Sequence, residues 1–277
     1  MPTLPTIDLG PYKITRLIIG GNPLCGNSHF SPQMDQEMRD YYTAEQVVQV
    51  LHRAQAAGIN TIQARGDYHR ILYWLELFRR EGGQLHWIAQ TASEMHDVFQ
   101  NIRVLAAAGA IAIYHHGSRT DKLWKAGQID KVEDYLKCMR DTGVLVGLGT
   151  HQPQIIEYAE EKGWDVDFYM ACLYNLSKQE RESALVTGKF QEERFDDADR
   201  DVMLDVIRKT PKTCLAFKLM GAGRNCATLA DVRAAFKYAF DRIKPGDAAV
   251  VGMFPKEKDQ ITENVQHVLD LLGSGNS

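Results

Sequence analysis

The sequence predicts a single (β/α)8 barrel, and three observations lead there. Eight short apolar runs recur along the 277 residues, amphipathic stretches of helical period separate them, and glycines stand where those helices would end. Parallel strands covered on both faces read as near-continuous apolar runs. Regular alternation of strand and helix through a chain of roughly 250 residues is the pattern of a closed barrel. A doubly wound open sheet is the alternative arrangement of the same elements. No internal repeat, low-complexity stretch or linker divides the chain, so residues 1–277 read as one domain.

The predicted strands are residues 16–20 (RLIIG), 59–63 (INTIQ), 86–90 (HWIAQ), 110–114 (AIAIY), 144–148 (VLVGL), 166–170 (VDFYM), 214–218 (CLAFK) and 248–252 (AAVVG). Between them, residues 44–57 repeat apolar side chains at Val47, Val48, Leu51 and Ala54, and Thr43 can cap that helix with its hydroxyl. Residues 154–162, 197–209, 229–240 and 260–272 read the same way. Gly58, Gly83, Gly109, Gly143 and Gly163 follow helical patterns, where a left-handed C-cap is needed. The polar stretch 31–40 (SPQMDQEMRD) reads as a loop, with Tyr41 and Tyr42 as candidates for a lid wall. Residues 72–78 (LYWLELF) read as a helix face packed on the barrel, and the charged segment 177–201 as a loop with short helices over the barrel mouth.

Composition narrows the function. With 44% hydrophobic and 25% charged residues the chain is ordinary globular protein, and a net charge of −4 argues against nucleic-acid or anionic-membrane partners. No apolar run approaches the ~20 residues that span a bilayer, and residues 1–10 lack the basic-then-apolar pattern of a signal peptide. Five cysteines, scattered and without C-x-x-C spacing, suit a reducing compartment. The expectation is a cytoplasmic protein acting on a small molecule, with the oligomeric state left open.

In such barrels the site is built at the strand C-termini, and those positions are polar here. They include Asn22 and His29 after strand one; Gln63, Arg65, Asp67, Tyr68 and His69 after strand two; Gln90 and Thr91; Tyr114, His115 and His116; Thr150 and His151; Tyr174 and Asn175; and Lys218 followed by Gly221, Gly223 and Arg224. Several of the nine histidines thus converge on one face, where imidazoles can serve as acid, base, electrophile or metal ligand. His29, His69, His116, His151, Asp67 and Gln63 make a divalent metal conceivable, although no compact ligand spacing such as H-E-x-x-H occurs. Lys218, if its amine is neutral, also admits Schiff-base chemistry. Gly221, Gly223 and Arg224 suit close approach to a pyrophosphate or a sugar phosphate, and Lys256 or Lys258 could meet a 2′-phosphate. A tight turn with a surface arginine explains the glycine segment equally well.

Five segments, in order, carry a family resemblance: IDLGPYKITRLIIGGNP, AAGINTIQARGDY, VGLGTHQPQIIEYAEEKGWDVDFYMACLYNLS, LAFKLMGAGR and VVGMFPKEKDQITENV. Together they resemble the aldo-keto reductases, from the N-terminal hairpin to the E-N-containing C-terminal segment. The resemblance implies a dinucleotide, NADP or NAD, held by Asn22, Thr150, His151, Lys218, Gly221, Gly223, Arg224 and Lys256. It also implies Tyr68 as proton donor and His116 as the group polarising the carbonyl oxygen, with His115 taking that place if the strand register slips by one. The catalytic set departs from the family: its aspartate aligns with Gln63, its lysine with Thr91 or Gln90, and its nicotinamide-binding glutamine with Ala171. A phenol titrates near ~10, and without an adjacent ammonium Tyr68 would be a poor relay at neutral pH. Three functions follow: an NAD(P)H-linked oxidoreductase of a small carbonyl or sugar; a non-redox, possibly metal-dependent lyase, hydratase or epimerase of a keto-sugar; and a binding barrel that has lost catalysis.

Overall fold

A computed structural model describes residues 3–67, 70–92, 95–180, 182 and 187–273. Two short strands, β1 (Thr6–Leu9) and β2 (Tyr12–Thr15), form an antiparallel hairpin. The parallel strands β3 (Leu17–Gly20), β4 (Thr61–Arg65), β5 (His86–Gln90), β6 (Ala112–His115), β7 (Leu145–Thr150), β8 (Phe168–Cys172), β9 (Thr213–Phe217) and β10 (Ala248–Gly252) then pair in sequence order, and β10 closes on β3. The result is a (β/α)8 barrel, and the open-sheet alternative falls. The hairpin stoppers the N-terminal end, where Ile7, Leu9 and Ile14 pack against the inward residues Ile18, Ile88 and Ala112. That leaves the C-terminal mouth as the open face. Among the described residues no helix is long and apolar enough to cross a membrane.

Ten α-helices are described outside the barrel: α1 (Pro32–Tyr41), α2 (Ala44–Ala56), α3 (Ile71–Arg80), α4 (Val98–Ala107), α5 (Gly117–Lys125), α6 (Lys131–Asp141), α7 (Pro153–Glu161), α8 (Ala198–Lys209), α9 (Leu229–Phe240) and α10 (Gln260–Leu272). Their apolar faces cover the outward strand residues, among them Leu17, Ile19, Ile62, Trp87, Ile113 and Val146. In α3, Trp74, Leu75 and Phe78 are buried, in keeping with the packing role expected of that stretch.

Three strand starts, those of β4, β6 and β8, lie two residues beyond the apolar runs that announce them, and for the first two the helix C-caps explain why. Gly58 (φ +94) turns the chain out of α2 in the left-handed region, and the Ile59 amide then donates to the Ala54 carbonyl at 3.0 Å. An amide spent on this Schellman closure cannot join the ladder, so β4 begins at Thr61 and its last residue is Arg65. Gly109 with Ala110 does the same before β6. After α3 the left-handed residue is Gly82, not the expected Gly83.

The stretch read as a loop at residues 31–40 is helix α1. Ser31 caps it by accepting from the Met34 amide, Pro32 occupies the first turn, and Met38 is buried. Tyr41 and Tyr42 are not a lid wall. The Tyr42 hydroxyl donates to the Met253 carbonyl at 2.7 Å, and both rings meet Phe254 at 5.4 and 5.7 Å, which pins α1 to the segment following β10.

Candidate active site

Alternate residues of a barrel strand face the axis, and at the mouth three of them on neighbouring strands are joined. Gln63 Nε2 donates to the Tyr114 hydroxyl at 2.8 Å, which donates to Gln90 Oε1 at 2.8 Å. This neutral chain links β4, β5 and β6, and the Tyr114 ring meets that of Phe168 edge-on at 6.5 Å. Burial drives the Tyr114 phenol well above its ordinary range. Gln63, aligned with the family's aspartate, is therefore part of a closed hydrogen-bonded floor. Thr91, aligned with the family's lysine, accepts from the His116 amide at 3.0 Å and fixes the backbone there. Ala171 faces the helices, in the outer core.

The same parity separates the adjacent histidines. His116 lines the small chamber above the floor, together with Arg65, Gln90, Tyr114 and His151. His115 points outward: its Nδ1 is 2.8 Å from Thr120 Oγ1, and its ring stacks on Tyr135 of α6 at 5.1 Å. It stands under the helices, so the register-slip expectation for His115 is not met. Thr150 also faces outward, its hydroxyl donating to Asp121 Oδ1 at 2.6 Å, and it lines neither the chamber nor the neighbouring groove.

Burial, with a smaller contribution from the Arg119 charge, brings the His115 imidazole down to about 4. Its ordinary value is near ~6.5, so on acidification the unfolded chain takes up this proton first. The stability it contributes is intact above pH ~6.5 and is lost progressively toward pH 4, by about 3 kcal/mol in all. Urea unfolding of wild type and His115→Phe across pH 7 to 4 should show a shallower acid loss in the variant. Equal slopes would refute this placement.

At the rim, three residues from distant segments meet. Glu193, from the segment over the mouth, lies with Oε1 2.9 Å from His29 Nδ1 and Oε2 3.4 Å from Lys218 Nζ, with side chains only 5% (Glu193), 16% (His29) and 8% (Lys218) exposed. The carboxamides of Asn22 and Asn27 lie 3.1 and 3.2 Å from His29 Nε2. If both donate, the ring proton is on Nδ1, toward Glu193. A carboxylate at this distance favours the ammonium of Lys218, which opposes the neutral amine that Schiff-base chemistry requires. His29 (φ +59), Lys218 (φ +63) and Ala222 (φ +53) are the non-glycine residues with left-handed backbone among those described, and all three border one groove. Such strain persists where surrounding structure enforces it, and it clusters at functional sites.

That groove has a volume of about 410 Å³ and runs outward across β3, β9 and β10, within the usual size of ligand sites. Its inner end is Gln63 and Phe217, its walls include Gly20 and Gly252, and its outer end is Lys258, Glu263 and Asn264. The first turns of α9 and α10 border it through Thr228 and Gln260. Asn22, Asn27, His29, Phe217 and Lys218 line both groove and chamber, so the two spaces share a wall.

Of the residues expected to hold a dinucleotide, Asn22, Lys218 and Gly223 line this groove, while His151 lines the chamber. Gly221 and Arg224 are not among its walls. The Arg224 guanidinium donates to the His29 and Gly221 carbonyls, each at 3.1 Å, and lies over Phe195 and Phe30 at 4.1 and 5.6 Å, stitching the rim loops together. Lys256 is outside, 3.7 Å from Glu257, and Lys258 takes the place at the groove. Tyr68 and His69 lie outside the described residues. Among the described residues no three His, Cys, Asp or Glu side chains are grouped to hold one cation.

Sequence reasoning missed Asp121, Glu193 and Asn27. Asp121 is an unremarked acid inside a helix, and Glu193 is one of several acids in the charged segment 177–201. Neither carries a local signal.

No family model matches the sequence, and no curated protein is similar to it. Solved structures are similar in fold. A truncated 3-deoxy-D-arabino-heptulosonate 7-phosphate synthase from Thermotoga maritima is 15% identical, with a TM-score of 0.55 over 99% of this chain and 94% of the other. A glycerol dehydrogenase from Gluconobacter oxydans, an aldo-keto reductase, is 15% identical with a TM-score of 0.55, over 97% and 95%. QR15, an aldolase, is 10% identical with a TM-score of 0.51, over 82% and 90%. The class defined is the (β/α)8 barrel. An aldo-keto reductase stands beside barrels of other chemistry, so the likeness extends to fold and leaves the reaction to the site.

Proposed function

We propose that the protein is an NAD(P)-dependent oxidoreductase of a small carbonyl or sugar, of aldo-keto reductase type with an altered catalytic set. The observation that carries this is the groove, which leads from the shared wall of the chamber to the N-termini of two helices. Those termini are the positive ends of helix dipoles, which suit a pyrophosphate, and their caps are Thr228 with Asp231 on α9 and Asp259 on α10. Gly20 and Gly252 let β3, β10 and Pro23 close up beside the groove, and Lys258 suits a 2′-phosphate. When bound, the nicotinamide supplies or accepts a hydride. The chain's own residues do the rest: Asn22, Asn27 and Lys218 border the junction, His116 and Arg65 offer donors to a substrate oxygen, and the Gln63–Tyr114–Gln90 chain closes the floor.

The test is direct binding of NADPH and NADP. At ligand one hundred times above Kd, stabilisation is about 2.7 kcal/mol, or a rise in Tm of about 5–10 °C for a chain of this size. Absence of any shift at millimolar concentration of both dinucleotides would remove the reading. A non-redox lyase, hydratase or epimerase of a keto-sugar is favoured by one observation, the buried His151–Asp121 pair, which can move a proton without a dinucleotide. Turnover of a ketose with no dinucleotide present would establish that reading instead.

A further inference from the structure

The chamber contains an acid–base pair distinct from the proton donor and carbonyl-polarising histidine, Tyr68 and His116, that the family resemblance implies. His151 follows β7, and its Nδ1 lies 2.7 Å from Asp121 Oδ2, with side chains 6% and 4% exposed. Asp121 Oδ1 also accepts from the Thr150 hydroxyl at 2.6 Å and the His151 amide at 3.3 Å. A buried carboxylate whose Oδ1 accepts these donors has its Oδ2 left to accept from the imidazole. It therefore keeps the ring proton on Nδ1 and makes Nε2 the basic atom of the neutral imidazole. Helix α5 reaches this position because Gly117 lets it close on β7: a Cβ there would stand 3.2 Å from the Thr150 nitrogen and 3.3 Å from His151 Cε1. The ring lines the chamber and meets Phe217 edge-on at 5.9 Å, and Phe217 is part of the wall shared with the groove.

We propose that His151, positioned by Asp121, is the proton-transfer residue of this site, a reading that rests on the dinucleotide function proposed above. In the reducing direction the imidazolium releases its Nε2 proton and the N–H electron pair stays on the ring. The substrate carbonyl oxygen gains an O–H bond, and the hydride that its carbon needs is what a bound reduced dinucleotide would supply. In the oxidising direction neutral Nε2 takes the proton from the alcohol. Asp121 stabilises the imidazolium and fixes the tautomer, as the carboxylate does in hydrolase triads. The charged or titratable groups facing His151 are Asp121 on α5, Arg65 at the end of β4, His116, Tyr114, and His29 with Lys218 at the rim.

The test uses the full chain, as wild type, His151→Gln and the near-isosteric Asp121→Asn. In ¹⁵N-histidine-labelled protein, NMR should show neutral His151 as the Nδ1–H tautomer, and Asp121→Asn should move the proton to Nε2. With NADPH and a panel of small aldehydes, ketoses and 2-oxo acids, both variants should lose about 10²- to 10⁴-fold in kcat. His151→Gln should also lose the histidine limb of the pH profile, while NADPH Kd stays within about threefold in both. Melting curves separate these losses from unfolding; should Asp121→Asn fail to fold, His151→Gln and the wild-type tautomer decide. An Nε2–H tautomer in the wild type, or His151→Gln retaining kcat and pH profile, overturns the proposal. NADPH binding without reduction of any panel member also overturns it while leaving the dinucleotide site standing. Absence of NADPH binding removes the dinucleotide reading and this proposal with it.

Discussion

Phe168→Ala should destabilise the protein by about 3–5 kcal/mol, the usual cost of emptying a fully buried aromatic site. Phe168 is wholly buried inside the barrel, and the neighbouring strand makes room for it with a glycine. A Cβ on Gly147 would stand 2.3 Å from the Phe168 Cζ. Gly147→Ala alone should therefore cost about 1–3 kcal/mol through overpacking. In the Phe168→Ala background the same alanine enters the vacated space, so the double variant should be more stable than the sum of the singles requires, by about 1–3 kcal/mol. Urea unfolding of the four proteins measures this coupling directly, and additive effects would show that ring and glycine do not share the space. Because Tyr114 rests on this ring, Phe168→Ala should also loosen the floor of the chamber.

Glu193→Ala should cost a comparable 3–5 kcal/mol, since removing one member of a buried ion pair leaves the other charge poorly compensated. The carboxylate lies between His29 and Lys218, which come from opposite ends of the sequence, so its loss should also open the rim. Pairing Glu193→Ala with Lys218→Met should recover part of the stability, because the ammonium that Glu193 balanced is then gone. A double variant no more stable than Glu193→Ala would mean that Lys218 gains nothing from Glu193. Since His29 and Lys218 wall both spaces, Glu193→Ala should weaken NADPH binding as well, measurable by the same thermal-shift titration.

The barrel was legible because it is written in local chemistry. Residues 86–90, 229–240, 248–252 and 260–272 form their elements within the predicted bounds, since apolar periodicity and turn residues act within a few positions. Helix α1 was legible too, from Ser31–Pro32 as cap and first turn, but its polar composition suggested a loop. The start of β4 was not, because it depends on where the Ile59 amide is spent. Ranking the two adjacent histidines needed the strand parity that this shift conceals: His115 and His116 differ by one residue and face opposite sides of the wall.

The site was only half visible. The chain's order placed Asn22, Gln63, His116, His151 and Lys218 at strand ends, and all five face the mouth. Their partners were invisible. Asp121 reaches His151 across thirty positions and Glu193 reaches His29 across 164, and an acid in a helix or a charged run has no pattern that announces a distant partner.

The sequence by itself determined the eight strand–helix units and the crowding of polar residues at one end, because strand and helix formation follow from spacing and burial of side chains close in the chain, while the hairpin was implied by the family resemblance. The tertiary structure alone decided which of those polar groups act together. Hydrogen bonds and ion pairs form between atoms a few ångströms apart whatever their separation in sequence. Closing the barrel is what brings His151 to Asp121, Gln63 to Tyr114, and Lys218 to Glu193.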